Sequence, residues 1–157
     1  AQRMGISTDI RAVDAIALGT SEVIPLEMVS AYAAYANKGV YSKPFAITKI
    51  EDRYGNTIRE YGPAQYEVLS EEIAFLMTNL MQTVMDRGTG GSARWKYNFT
   101  RPAAGKTGTT QGWSDAWFVG FTPQLATGVW FGVDDSSTTV RFPIESDRFH
   151  TWLSLLL

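Results

Sequence analysis

Residues 104–134, AGKTGTTQGWSDAWFVGFTPQLATGVWFGVD, divide into three short runs separated by turn residues. AGKTGTT, AWFVGFT and LATGVWFGVD each have the length and the β-branched or aromatic content of a strand. Only TPQ at 122–124 joins the last two, and so short a connection cannot carry a parallel crossover. The stretch therefore predicts an antiparallel meander. With the helices around it, this makes a mixed chain of helices and an antiparallel sheet.

Upstream, Pro25 is a natural first helical residue, and Leu26, Val29, Ala33 and Ala36 follow at helical spacing, with Gly39 placed to end the helix after Lys38. Ser70 can cap a second helix. Glu71 and Glu72 then fall at its positive end, and Ile73, Leu76, Met77, Leu80, Met81 and Val84 recur at intervals of three and four until Arg87 and the glycines of DRGTGGS. Residues 9–18 read as a short helix with Ile10, Val13 and Leu18 apolar. Between Val40 and Tyr61 the pattern shifts to short β-branched and aromatic runs, read as two strands joined by a turn at Gly55 and Asn56.

Composition narrows the classes of function. A chain of 157 residues, 45% hydrophobic and 19% charged, suits one domain or a large piece of one. A net charge of −2 gives no basic field for nucleic acid. The absence of cysteine excludes disulfides and thiolate metal sites, and His150 is the only histidine, so no metal site and no cofactor is expected. No apolar run is long enough to span a bilayer, and AQRMGISTDIR lacks the organisation of a signal peptide.

Lys106 is the unusual residue of the first strand. Lysine on an edge strand can simply guard against edge-to-edge pairing, with threonine chosen for β-propensity. The other reading is chemical. Thr107 and Thr109, two residues apart on a strand, share a face, and two hydroxyls beside a lysine would hold a carboxylate, while a backbone N–H on the same edge could stabilise an oxyanion. The tripeptide KTG by itself is expected by chance in roughly one chain of this length in twenty-five.

The surroundings favour the chemical reading. AGKTGTT followed by DAWFVGFTPQLATGVWFGVDD resembles the third motif and the next two strands of the penicillin-binding protein transpeptidases, particularly the bifunctional class A enzymes of peptidoglycan synthesis. ALGTSEVIPLEMVSAYAAYANKGVYSKP is similar to the family's helix and strand after its second motif, and DRGTGGSA to its glycine-rich loop before KTG. The likeness runs through residues 1–135 and is poor over 136–157.

The resemblance implies a serine acyl-transfer fold of the α/β kind (an α+β sandwich), an antiparallel sheet flanked by helices, shared in part with the serine β-lactamases. Lys106 would then bring positive charge and a proton donor to the nucleophile, and Thr107 and Thr109 would hold the terminal carboxylate of D-Ala-D-Ala or of a β-lactam. Gly108 would let the substrate backbone lie against the strand, and the backbone N–H of Thr109 would form half of the oxyanion hole. The expected partners are stem peptides, β-lactams and the remainder of the same domain, at the bacterial periplasm or the outer face of the cytoplasmic membrane. Any membrane attachment would come through an N-terminal anchor outside this chain.

The sequence also departs from the family. No serine has lysine three residues later and there is no Ser-x-Asn, so the expectation is a C-terminal fragment whose nucleophile lies upstream. Alternatives are a fragment of a D,D-carboxypeptidase or serine β-lactamase, or an inactive binding or scaffold domain. GWSDA is not a nucleophile elbow, since Ala116 stands where glycine is required. Asp134 and Asp135 read as a solvated turn, and Trp113, Trp117, Phe118, Phe121, Trp130 and Phe131 as core or cleft-lining aromatics, with Trp113 nearest the cleft mouth.

Overall fold

The computed structural model describes residues 1–110 and 115–132. Helix α1 spans Pro25–Ala36, α2 Glu71–Asp86 and α3 Ser92–Trp95. The strands are β1 (Val40–Ser42), β2 (Lys49–Glu51), β3 (Thr57–Glu60), β4 (Gln65–Glu67), β5 (Ala104–Thr109), β6 (Asp115–Phe121) and β7 (Ala126–Gly132).

The expected meander is present. Strands β5, β6 and β7 form one antiparallel sheet in that order, with β5 as the outer strand on one side. The TPQ connection closes because Thr122 N–H donates to the Leu125 carbonyl at 2.8 Å, while the Thr122 hydroxyl accepts from the N–H groups of Gln124 and Leu125. Paired residues share a face of the sheet, so Ala104, Phe121 and Ala126 lie on one side, and Thr107, Phe118 and Val129 on the other. Phe121 and Phe118 are both buried, so both faces are covered. On the first, Tyr32, Tyr35 and Ala36 of α1 and Met77 and Met81 of α2 pack with Ala104, Phe121 and Ala126. A second cluster joins Met85, Ala93, Phe99 and Ala103 to Phe118 and Val129. The third lies at the N-terminal end, where Met4, Ile6, Ala31, Ala34, Tyr41 and Val68 meet.

Helix α2 starts as expected, with the Ser70 hydroxyl accepting from Ile73 N–H at 3.4 Å. Its apolar residues, however, divide. Ala74, Met81 and Met85 are buried, whereas Ile73, Leu76 and Leu80, on a neighbouring face, are exposed. Helix α1 ends two residues before Lys38. Gly39 N–H then reaches back to the Ala34 carbonyl at 2.8 Å, with Lys38 and Gly39 both at positive φ.

Three local expectations change. The helix read over 9–18 is a short 3-10 helix, Asp14–Leu18, whose Leu18 is almost fully exposed, so no packed face extends it. The turn at Gly55 and Asn56 joins β2 to β3 as expected, closed by the Asp52 carboxylate accepting from Tyr54 N–H, Asn56 N–H and the Asn56 side chain. β1 pairs instead with β4, a strand not foreseen because Gln65, Tyr66 and Glu67 are all exposed and carry no alternation. The DRGTGGS segment runs into the short α3 rather than staying loop throughout.

Candidate functional site

Strand β5 sets out the predicted residues in regular antiparallel register with β6, so Thr107 and Thr109 leave one face, and Lys106 and Gly108 the other. Ala104 and Gly105 are buried, Thr107 and Gly108 half-buried, and Lys106 and Thr109 exposed. The strand thus passes from core to surface along its length.

Glycines flank Lys106 and Thr107, and a glycine inside a strand leaves room for the close approach of a ligand or of another backbone. At Gly105 that room is filled from inside: a Cβ there would lie 2.7 Å from Phe118 Cζ and 2.9 Å from the Val119 carbonyl. Phe118 is fully buried, so this close approach holds β5 against β6. At Gly108 a Cβ would lie 3.2 Å from Trp117 Cβ.

Lys106 Nζ donates to the Thr107 carbonyl at 2.7 Å, and among the described residues it forms no ion pair. Its ammonium has two further donors to offer. A residue that sequence reasoning missed stands beside Thr107. Thr89, in the glycine-rich segment after α2, places Oγ1 2.7 Å from Thr107 Oγ1. Nothing in the spacing of the two residues signals this contact, because it is made through space between a loop and a strand.

Arg94 fastens that segment. Its Nε donates to Asp86 at 3.0 Å, and Nη1 to the carbonyls of Phe99 and Arg101 at 2.7 Å each, tying the end of α2 to the approach to β5. At the other end of the strand, Thr110 N–H donates to the Asp115 carbonyl and Asp115 N–H to the Thr110 hydroxyl, while an Asp115 carboxylate oxygen accepts from Trp130 Nε1 at 2.8 Å. Trp113, Asp134, Asp135 and His150 lie outside the described residues. Among the described residues no cluster of His, Cys, Asp and Glu could hold a metal ion, and no helix is long and apolar enough to cross a membrane.

Residues 4–137, including all of β5, β6 and β7, match the sequence model of the penicillin-binding protein transpeptidase domain. The chain belongs to this family. It is 44% identical over 119 residues to penicillin-binding protein 1A of Aquifex aeolicus, a match covering 76% of this chain but 16% of that protein. The crystal structure of penicillin-binding protein 1A from Haemophilus influenzae superposes with a TM-score of 0.85 at 26% identity, covering 98% of this chain and 30% of that one. The PonA1 protein of Mycobacterium tuberculosis in complex with penicillin V shares the fold, with a TM-score of 0.69 at 24% identity, covering 98% of this chain and 48% of that one. The chain thus spans a small part of its Aquifex relative. The mixed helix and antiparallel-sheet fold expected from the sequence is the fold of these domains.

Proposed function

We propose that the chain is the C-terminal part of a D,D-transpeptidase domain of a class A, bifunctional penicillin-binding protein. In this reading it supplies one wall of a serine acyl-transfer cleft acting on D-Ala-D-Ala stem peptides. The observation that carries the proposal is the placement of Lys106, Thr107, Gly108 and Thr109 on the outer strand of a family-matched sheet, where the strand emerges from the core.

Each group has a chemical task. The Lys106 ammonium holds positive charge beside the nucleophile, and the hydroxyls of Thr107 and Thr109 donate to the substrate's terminal carboxylate. Gly108 keeps the strand surface flat, and the Thr109 N–H is one oxyanion donor, a type of contact worth about 3 kcal/mol in other acyl-transfer enzymes. The nucleophilic serine and its lysine come from upstream polypeptide, since no serine here has lysine three residues on. The exposed apolar face of α2, Ile73, Leu76 and Leu80, supports the same view: it is the surface against which the remainder of the domain packs. Residues 136–157 diverge from the family pattern. The whole protein would work outside the cytoplasmic membrane, held there by an N-terminal anchor.

The test uses the full-length protein and a fluorescent penicillin. Full-length protein forms a stoichiometric covalent adduct, Lys106→Ala forms it at least about a hundredfold more slowly, and residues 1–157 alone form none. An adduct on the isolated chain, or unchanged acylation of Lys106→Ala, refutes the assignment. Cross-linked peptide product separates a transpeptidase from a carboxypeptidase, which releases D-alanine alone, and from a β-lactamase, which hydrolyses the drug. An unreactive full-length protein leaves an inactive scaffold.

A further inference from the structure

We infer that Thr89 is a positioning residue for the carboxylate-binding hydroxyl of Thr107. The inference rests on the reading above, in which Thr107 grips a substrate carboxylate. Its starting point is the 2.7 Å contact between the two hydroxyl oxygens, in which either can be the donor.

A threonine hydroxyl has one proton and can accept two hydrogen bonds, whereas an ionised carboxylate only accepts. If Thr107 gives its proton to Thr89, it has none for the substrate. If Thr89 gives its proton to Thr107, the oxygen of Thr107 is satisfied as an acceptor and its own proton is free to point at the carboxylate. An arriving carboxylate is the stronger acceptor and selects this second arrangement, with hydrogen bonds running from Thr89 to Thr107 to the substrate. Bonds in such a chain polarise and strengthen one another. The contact also selects a rotamer. A threonine side chain outside a helix has more than one accessible χ1, and the bond to Thr89 holds Thr107 in one of them before substrate arrives.

Thr89 can do this because its own backbone is held. Gly90 N–H donates to the Val84 carbonyl at 2.9 Å and Gly91 N–H to the Gly88 carbonyl at 3.0 Å, while Arg94 pins the following turn to Asp86. The glycine-rich segment is therefore a mount for one hydroxyl, aimed at the strand that carries Lys106.

The experiment measures acylation of the full-length protein by a penicillin with a free carboxylate and by its methyl ester. Thr89→Val is close in shape and lacks the hydroxyl. It should acylate about fivefold more slowly with the free acid, the size of one hydrogen bond between neutral groups. With the ester it should stay within about twofold of the wild type, so the preference for the acid collapses. Thr89→Ser restores the acid rate, and Thr89→Ala, with an unchanged thermal midpoint, repeats the loss. Wild-type acylation of the acid by Thr89→Val, equal losses on acid and ester, or a Thr89→Ser variant as slow as Thr89→Val overturns the inference. A wild-type protein that neither compound acylates overturns the transpeptidase reading itself, and this role with it.

Discussion

The carboxylate of Glu27, in the first turn of α1, accepts both the hydroxyl and the backbone N–H of Ser7, at 2.6 and 2.9 Å. The two residues stand far apart in the chain, and the pair ties the N-terminal segment to the helix that covers the sheet. The Ser7 hydroxyl, then its N–H, holds the Glu27 carboxyl below its usual value of 4.5.

A carboxyl whose folded value is depressed contributes stability above its unfolded value and loses it as pH falls through the folded one. Ser7→Ala should raise the titration midpoint of Glu27, read from its carboxyl-carbon shift, towards 4.5. It should also flatten the loss of stability as pH falls below 4.5. An unmoved midpoint would show that Ser7 does not hold the charge.

Tyr32 behaves in the opposite sense. It packs edge-on to Tyr35 with ring centroids 5.9 Å apart, and burial, followed by the neighbouring Tyr35, pushes its phenol up to about 12. The unfolded chain loses that proton near 10, so stability is complete below about pH 10 and is lost as pH rises towards 12. Ultraviolet titration should show late phenolate steps, because burial also raises Tyr35 and Tyr41, and Tyr32→Phe should remove the latest of them. A Tyr32→Phe trace that keeps the latest step assigns it elsewhere.

Arg94 should be irreplaceable by lysine. Lysine keeps the charge but cannot donate at once to Asp86, Phe99 and Arg101 from a planar fork. Arg94→Lys is expected to cost about 1–2 kcal/mol in denaturant unfolding and Arg94→Ala about 2–3 kcal/mol. Asp86→Asn should cost under about 1 kcal/mol, because that carboxylate is half exposed. Equal losses for Arg94→Lys and Asp86→Asn would mean that charge, not geometry, holds the segment.

Gly39→Ala should be among the most damaging single changes in the chain. Its φ of 90° disfavours any side chain, and an added Cβ would overlap the Leu69 carbonyl. A loss of at least about 2 kcal/mol is expected. Near-neutral melting would show that the α1 cap can relax.

Much of the fold was legible wherever one residue acts through its neighbours in sequence. Ser70 caps α2 by reaching three residues along, and the β6–β7 hairpin is announced by two β-branched and aromatic runs joined by the short TPQ connection. What depends on contacts across space was not legible. The apolar residues of α2 looked like one stripe, yet burial separates Met81 from Leu80; strand β4 has no apolar pattern; and Thr89 meets Thr107 across space, from a segment that Arg94 ties to Asp86. In the candidate site, Lys106, Thr107, Gly108 and Thr109 could be named from the motif, whereas the filling of Gly105 by Phe118 required the sheet.

The stack of Tyr35 on Phe121, with ring centroids 6.5 Å apart, has a kinetic consequence. One ring lies in α1 and the other at the end of β6, so the contact closes a loop that includes most of the chain. A ribosome releases α1 long before β6 exists, leaving the aromatic side of the helix wet while the hairpins form locally. Long-range closure of this kind slows folding. The step that docks α1 on the sheet should therefore come late, and the nascent chain is most open to aggregation or chaperone capture just before it.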